Sequence, residues 1–181
     1  MARVMKNITF LSAIFTLSAI VIYAITDIIV IRILAIVFGV TFYHFAIRLL
    51  IGWFYQAVLN NTVNYRLKWF QTTKTETEFY RKIRVKRWKN ALPTYEPKSF
   101  DSRNNSYEKI AMAMCQAELV HETIIVFSFL PVLLTFFFGS FVVFLTTSIL
   151  SAGVDALFVM IQRYNRPRIL RLLKKHQQYA H

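Results

Sequence analysis

Glu118 and His121 stand three residues apart beside a long uncharged stretch. On a helix that spacing places both side chains on one face. A carboxylate can orient an imidazole, and an imidazole titrating near neutrality suits the activation of a hydroxyl as general base. A plainer role fits the same pair equally well: a polar mark at the interfacial end of a membrane helix. Glu118 and His121 could also supply two metal ligands. The other histidines are His44, His176 and His181, two of them in the tail, so no metal site is expected. Cys115 precedes His121 by nearly two helical turns and is rotated off its face, so it reads as a small apolar-tolerant residue rather than a nucleophile.

A second polar group runs Gln162-Arg163-Tyr164-Asn165-Arg166-Pro167-Arg168. Three closely spaced arginines suit bidentate recognition of phosphate oxygens. A basic flank to a membrane helix would account for the arginines but not for Gln162, Tyr164 and Asn165 among them. Pro167 disfavours helical geometry at Arg166, which predicts that the chain turns there. The densest cluster is Arg81, Lys82, Arg84, Lys86, Arg87, Trp88 and Lys89. Most of it reads as lipid adhesion with Trp88 as an interfacial anchor, and Arg84, Arg87, Trp88 and Lys89 are also candidates for contacting a substrate's phosphates. Asp155 interrupts an apolar helix, where an unpaired charge is costly. It is expected to face the bundle and meet a polar or basic partner, with Gln162 as a second buried polar candidate.

The elements that must position these residues are membrane helices. From Thr123 through Val154 there is no Asp, Glu, Lys or Arg, and a bilayer span needs only ~20 apolar residues. Gly139 and Ser140 divide that stretch into two spans. At the other end residues 8–26 are also uncharged. Arg3 and Lys6 precede them in the manner of a signal peptide, but the apolar run is too long and a second follows at once, so it is read as a retained span. The spacing predicts an all-α membrane protein with spans at about 8–26, 29–48, 119–138 and 141–161. The second contains Arg32 and His44 and ends at Arg48. Residues 51–59 either extend it or lie in the interface.

A basic loop of about 60–118 separates spans 2 and 3. Within it, residues 75–92 carry Phe79, Ile83, Val85, Trp88 and Leu92 among basic side chains, which predicts one amphipathic helix in the headgroup plane, ended by Pro93. A further helix is expected to start near Ser106 and run into span 3. The basic tail 162–181 is expected to form a short surface helix over 168–175.

The formal charge is +13. Residues 66–109 hold twelve basic and five acidic side chains, and residues 163–181 hold six basic and no acidic ones. The chain has no zinc-finger spacing and no RNA-binding aromatic signature, so the charge points to anionic headgroups rather than nucleic acid. Four spans bring the N-terminus, the loop and the tail to one side, which the positive-inside rule makes cytoplasmic. A single cysteine excludes an internal disulfide framework.

Three segments resemble one family: residues 79–93 with their R-x-W-K run, Ala117-Glu118-Leu119-Val120-His121, and the 162–168 segment. They are similar to the glycosyl-4,4'-diaponeurosporenoate acyltransferases, small bacterial membrane enzymes linked to the last step of staphyloxanthin-type carotenoid synthesis. The resemblance implies transfer of a fatty acyl group from a thioester, acyl-CoA, to a hydroxyl of a glycosylated isoprenoid or related glycolipid. It implies no resident cofactor and a place in the bacterial cell membrane. Glu118 and His121 match the family's acidic and imidazole positions, and Arg163, Asn165 and Arg166 match its polar motif. On this reading Glu118 orients His121, the arginines hold phosphate, and Asn165 is a candidate for stabilising an oxyanion. Two other readings stay open: an adaptor that binds anionic lipid or a partner enzyme, and an enzyme acting on a polyprenyl phosphate.

Overall fold

The computed structural model describes residues 2–93 and 95–179, so His181 lies outside the described residues. Every regular element among them is helical. The order is α1 (Ala2–Thr26), α2 (Ile29–Leu59), α3 (Lys74–Lys82), α4 (Val85–Trp88), α5 (Tyr107–Phe127), α6 (Thr135–Phe138) and α7 (Phe141–Tyr179), with short 3-10 turns between them. Four stretches are long and apolar enough to cross a membrane: Ala2–Thr26, Ile29–Leu59, Tyr107–Phe138 and Phe141–Tyr179. That is the build of a multi-pass membrane protein. The helices overrun the expected spans. α7 alone has 39 residues, ~58 Å at 1.5 Å each, about twice a hydrocarbon core.

The chain divides into two compact units, Met1–Trp53 with Thr123–Val154, and Phe54–Glu122 with Asp155–His181. The first is the apolar unit. In hydrocarbon each backbone group must pair within its own segment, and uninterrupted Ile, Leu, Val and Phe allow that. The hydroxyls of Thr9, Ser12, Thr16 and Thr26 turn back to carbonyls four residues earlier, so they too are satisfied locally. Asp27, with φ 52°, makes the turn between α1 and α2, and Gly139 and Ser140, with φ of 68° and 57°, make the one before α7. Phe136 and Phe137 are 86% and 81% exposed, a surface that suits lipid rather than water.

Pro131 lacks the N–H that would bond the Phe127 carbonyl, and α5 ends at Phe127. The Tyr43 hydroxyl donates to that carbonyl at 2.8 Å. Arg48 donates to the His44 carbonyl and to Ser151, whose hydroxyl is 3.0 Å from that of Ser128.

The second unit has its own core of Val63, Tyr65, Phe70, Ala111, Cys115 and Leu173, flanked by Leu59, Leu119 and Ile169. Asn60 and Asn61 end α2 with φ of 44° and 58°, a conformation Asn tolerates better than most residues. Buried Gln116 holds this corner: its Oε1 accepts from the Asn61 backbone N–H, and its Nε2 donates to Gln56. Residues 107–122 of α5 and 155–179 of α7 run antiparallel. Tyr107 meets His176 at one end, and His121 meets Asp155 at the other.

Two expectations give way here. The single helix over 75–92 is instead α3, a break, α4 and a 3-10 turn at Lys89–Ala91. Arg84 adopts φ 54°, and this break accompanies complete burial of Val85. The Trp88 indole N–H donates to the Ile83 carbonyl at 3.1 Å, satisfying the end that the break exposes. The expected turn at Pro167 is likewise absent: α7 passes through Pro167 to Tyr179, so no separate helix spans 168–175. The proline leaves the Arg163 carbonyl without its helical donor. The Thr72 hydroxyl supplies one at 3.2 Å.

Candidate active site

α3 opens with a capping box. The Thr73 hydroxyl accepts from the Glu76 N–H, and a Glu76 oxygen accepts from the Thr73 N–H at 2.8 Å. The box fixes the Glu76 side chain, whose other oxygen binds Arg163. Burial works to raise the Glu76 carboxyl, but the Thr73 N–H and the Arg163 guanidinium outweigh it and hold the group below the usual carboxylate value. Tyr80, one turn further, is pushed up to about 12 by burial and by the charge of Glu76.

Arg163 uses its whole fork. Nε donates to Glu118 Oε1 at 2.7 Å, Nη1 to Glu76, and Nη2 to the Trp69 carbonyl at 2.8 Å. Arg166 is 1% exposed; its Nη1 donates to Glu118 Oε2 at 2.5 Å, and its guanidinium lies 5.2 Å from the centre of the Phe70 ring. Glu118, fully buried, therefore carries an arginine on each oxygen. Breaking such a pair from one side would strand a buried charge, so this clamp locks α5 to α7. Cys115 is buried beneath it, 3.5 Å from Arg166 Nη1.

These partners differ from those expected. Glu118 does not reach His121. The carboxylate on the imidazole is Asp155, 1% exposed, with Oδ1 2.8 Å from Nδ1. Glu118 and His121 do share a face of α5, but the facing helix offers each a different group, and two guanidiniums occupy both oxygens of Glu118. Opposite an ionised carboxylate, which only accepts, the neutral imidazole would carry its proton on Nδ1 and its lone pair on Nε2. The imidazole stacks on Phe158 with 4.7 Å between ring centres and 12° between planes, and its side chain is 23% exposed. Held on one nitrogen and one face, it presents a fixed acceptor nitrogen.

The other candidates separate into two groups. Lys89, Asn165 and Arg168 come together: Lys89 Nζ donates to Asn165 Oδ1 at 2.6 Å and lies over the Tyr164 ring, and Arg168 lines the same recess. Arg84 and Trp88 serve the break after α3, Arg87 is exposed, and Gln162 is half-buried on α7. Arg163 and Arg166, expected to meet phosphate, have carboxylate partners within the chain. Lys86, expected only to adhere to lipid, and Arg171, not singled out from the sequence, also line the recess. Glu76 and Thr72 were missed too. Thr73-x-x-Glu76 is a capping-box signature readable in the chain, whereas nothing local marks Thr72.

A separate cleft of about 450 Å³ is lined by Leu59, Val63, Leu67, Trp69, Phe70, Leu119 and Glu122 among others. Glu122 accepts from the Trp69 indole N–H at 3.0 Å. Among the described residues no three His, Cys, Asp or Glu side chains gather as metal ligands would.

A family model described as glycosyl-4,4'-diaponeurosporenoate acyltransferase matches residues 66–175. The chain belongs to that family. The match includes the capping box, the Glu118 clamp, the His121–Asp155 pair and the Lys89–Asn165 contact. No curated protein and no solved structure matches the chain. Family membership assigns the activity class, acyl transfer, and the four long apolar helices suit a membrane acyltransferase.

Proposed function

We propose that the chain transfers a fatty acyl group from acyl-CoA to a sugar hydroxyl of a glycosylated isoprenoid or related membrane glycolipid. His121 is the general base and Asp155 its positioning residue. The observation that carries the reading is the 2.8 Å contact between a buried carboxylate and the Nδ1 of a partly exposed histidine.

The step balances simply. The acceptor hydroxyl oxygen attacks the thioester carbonyl carbon while His121 Nε2 takes its proton. The tetrahedral intermediate collapses, the C–S bond breaks, and the imidazolium returns the proton to the departing thiolate. Asp155 holds the tautomer and stabilises the imidazolium as it forms, as the carboxylate does in hydrolase triads. His121 stands two residues before the uncharged stretch that begins at Thr123. That position favours a lipid-anchored acceptor whose sugar reaches the headgroup region. The basic loop and tail favour the cytoplasmic side of the bacterial cell membrane for this face and both termini, the side on which acyl-CoA is made. The apolar cleft beside Trp69 suits an alkyl or isoprenoid chain.

The test is mass spectrometry of total lipids from cells with the gene deleted, restored, or restored as His121→Ala. A glycolipid that loses one acyl group on deletion and regains it only with wild type establishes the transfer and names the acceptor. Regain with His121→Ala removes His121 as the base. No lipid difference at matched protein levels favours an adaptor role.

A further inference from the structure

We infer that the recess between the 85–91 segment and the 163–171 stretch of α7 seats the phosphates of the acyl donor. It rests on the donor being a phosphorylated thioester, as proposed above.

The recess encloses about 400 Å³, and Lys86, Lys89, Tyr164, Asn165, Arg168 and Arg171 contribute to its wall. Four of these are cations, and no Asp or Glu lines it. The cations come from two segments more than seventy residues apart in the chain, so the fold, not a local basic run, gathers them. Three lining positions on α7, Tyr164, Arg168 and Arg171, follow the four-and-three spacing that shares one helical face. That face exists only because α7 continues through Pro167, with Thr72 serving the Arg163 carbonyl.

Lys89 is held rather than loose, through Asn165 and the Tyr164 ring. Burial, then the charges of Arg168 and Lys86, lower its pKa. Like charges gathered without a carboxylate oppose folding. A phosphate among them reverses that opposition and gains charge-assisted hydrogen bonds. Arg163 also borders the recess, but its guanidinium is taken up by Glu118, Glu76 and the Trp69 carbonyl, and Arg166 is buried against Glu118. Generic adhesion to a membrane would need none of this enclosure.

The experiment is binding of CoA to the purified full chain in nanodiscs of zwitterionic lipid, by equilibrium dialysis with radiolabelled CoA. Dephospho-CoA and phosphatidylglycerol vesicles serve as competitors. Lys89→Gln with Arg168→Gln should weaken CoA about tenfold or more, and dephospho-CoA should compete more weakly than CoA. If that pair lowers the yield of folded protein, Lys86→Gln with Arg171→Gln, both exposed, should still weaken CoA severalfold. Unchanged CoA affinity in the folded variants overturns the assignment. So does displacement of CoA by phosphatidylglycerol at concentrations where dephospho-CoA fails, which would make the recess a headgroup seat. Binding is read without turnover. Failure of His121 as base would therefore leave this result standing, and failure here would leave the base intact.

Discussion

The Thr72 hydroxyl lies 3.2 Å from the Arg163 carbonyl, the acceptor that Pro167 deprives of its helical donor. The apolar unit repeats the device: the Tyr43 hydroxyl reaches the Phe127 carbonyl, four residues before Pro131. In each case a side chain from another helix or loop supplies the hydrogen bond that proline removes. Thr72→Val should lower stability by about 1–2 kcal/mol, read as a lower Tm. In a Pro167→Ala background the backbone N–H returns and the cost of Thr72→Val should largely vanish. An equal cost in both backgrounds would show that Thr72 acts some other way.

Asp155→Asn keeps the shape of the side chain but no longer enforces Nδ1–H. Turnover should fall about 10²–10⁴-fold with the KM for acyl-CoA little changed. Adding His121→Ala should cost far less than its separate effect, because the two residues act as a unit. Steady-state kinetics on single and double variants decide this. A proportionate rise in KM would instead place Asp155 in binding.

Glu118 holds two arginines from a fully buried position. Glu118→Ala should cost about 3–5 kcal/mol, since it strands the buried Arg166 guanidinium and removes one of Arg163's carboxylate partners. Glu118→Gln, which still accepts hydrogen bonds, should cost less. Thermal denaturation in detergent measures both, and a neutral Glu118→Ala would mean that the clamp contributes nothing to the fold.

The lowered Glu76 carboxyl sets a stability that depends on acid. A carboxylate with a depressed folded value adds stability that is complete above its unfolded value, ~4.3. That stability is lost as pH falls through the folded one. The Tm of wild type should therefore drop across this acidic window, and Glu76→Gln should show a shallower drop from a lower plateau. Parallel curves would remove Glu76 as a contributor.

Lys89 predicts an effect in the alkaline range. Lys86 and Arg168 oppose its charge, while Asn165 and Tyr164 face it with neutral groups. CoA binding should weaken as pH rises through the lowered Lys89 value, before an ordinary lysine at ~10.4 would respond. Lys89→Arg stays charged and should carry binding to higher pH. A profile unchanged by the substitution would assign the loss elsewhere.

The apolar helices were legible because their signal is local. An uncharged run of bilayer length has one stable form in hydrocarbon, and the turns at Asp27 and Gly139–Ser140 are marked by residues that suit positive φ. The residue types of the site were legible for a similar reason, since Glu118, His121, Asp155 and the 162–168 segment are polar groups where polarity is costly. Their partners were not. Helical spacing puts Glu118 and His121 on one face, but α7 decides which carboxylate the imidazole meets, and it brings Asp155 to His121 and two arginines to Glu118. The Pro167 expectation met the same limit. A proline predicts a missing hydrogen bond from sequence, while the donor that replaces it, Thr72 or Tyr43, comes from a distant part of the chain. Local chemistry thus set the elements and the candidates. Pairing energies between residues far apart in sequence set the site, and only the folded chain contains them.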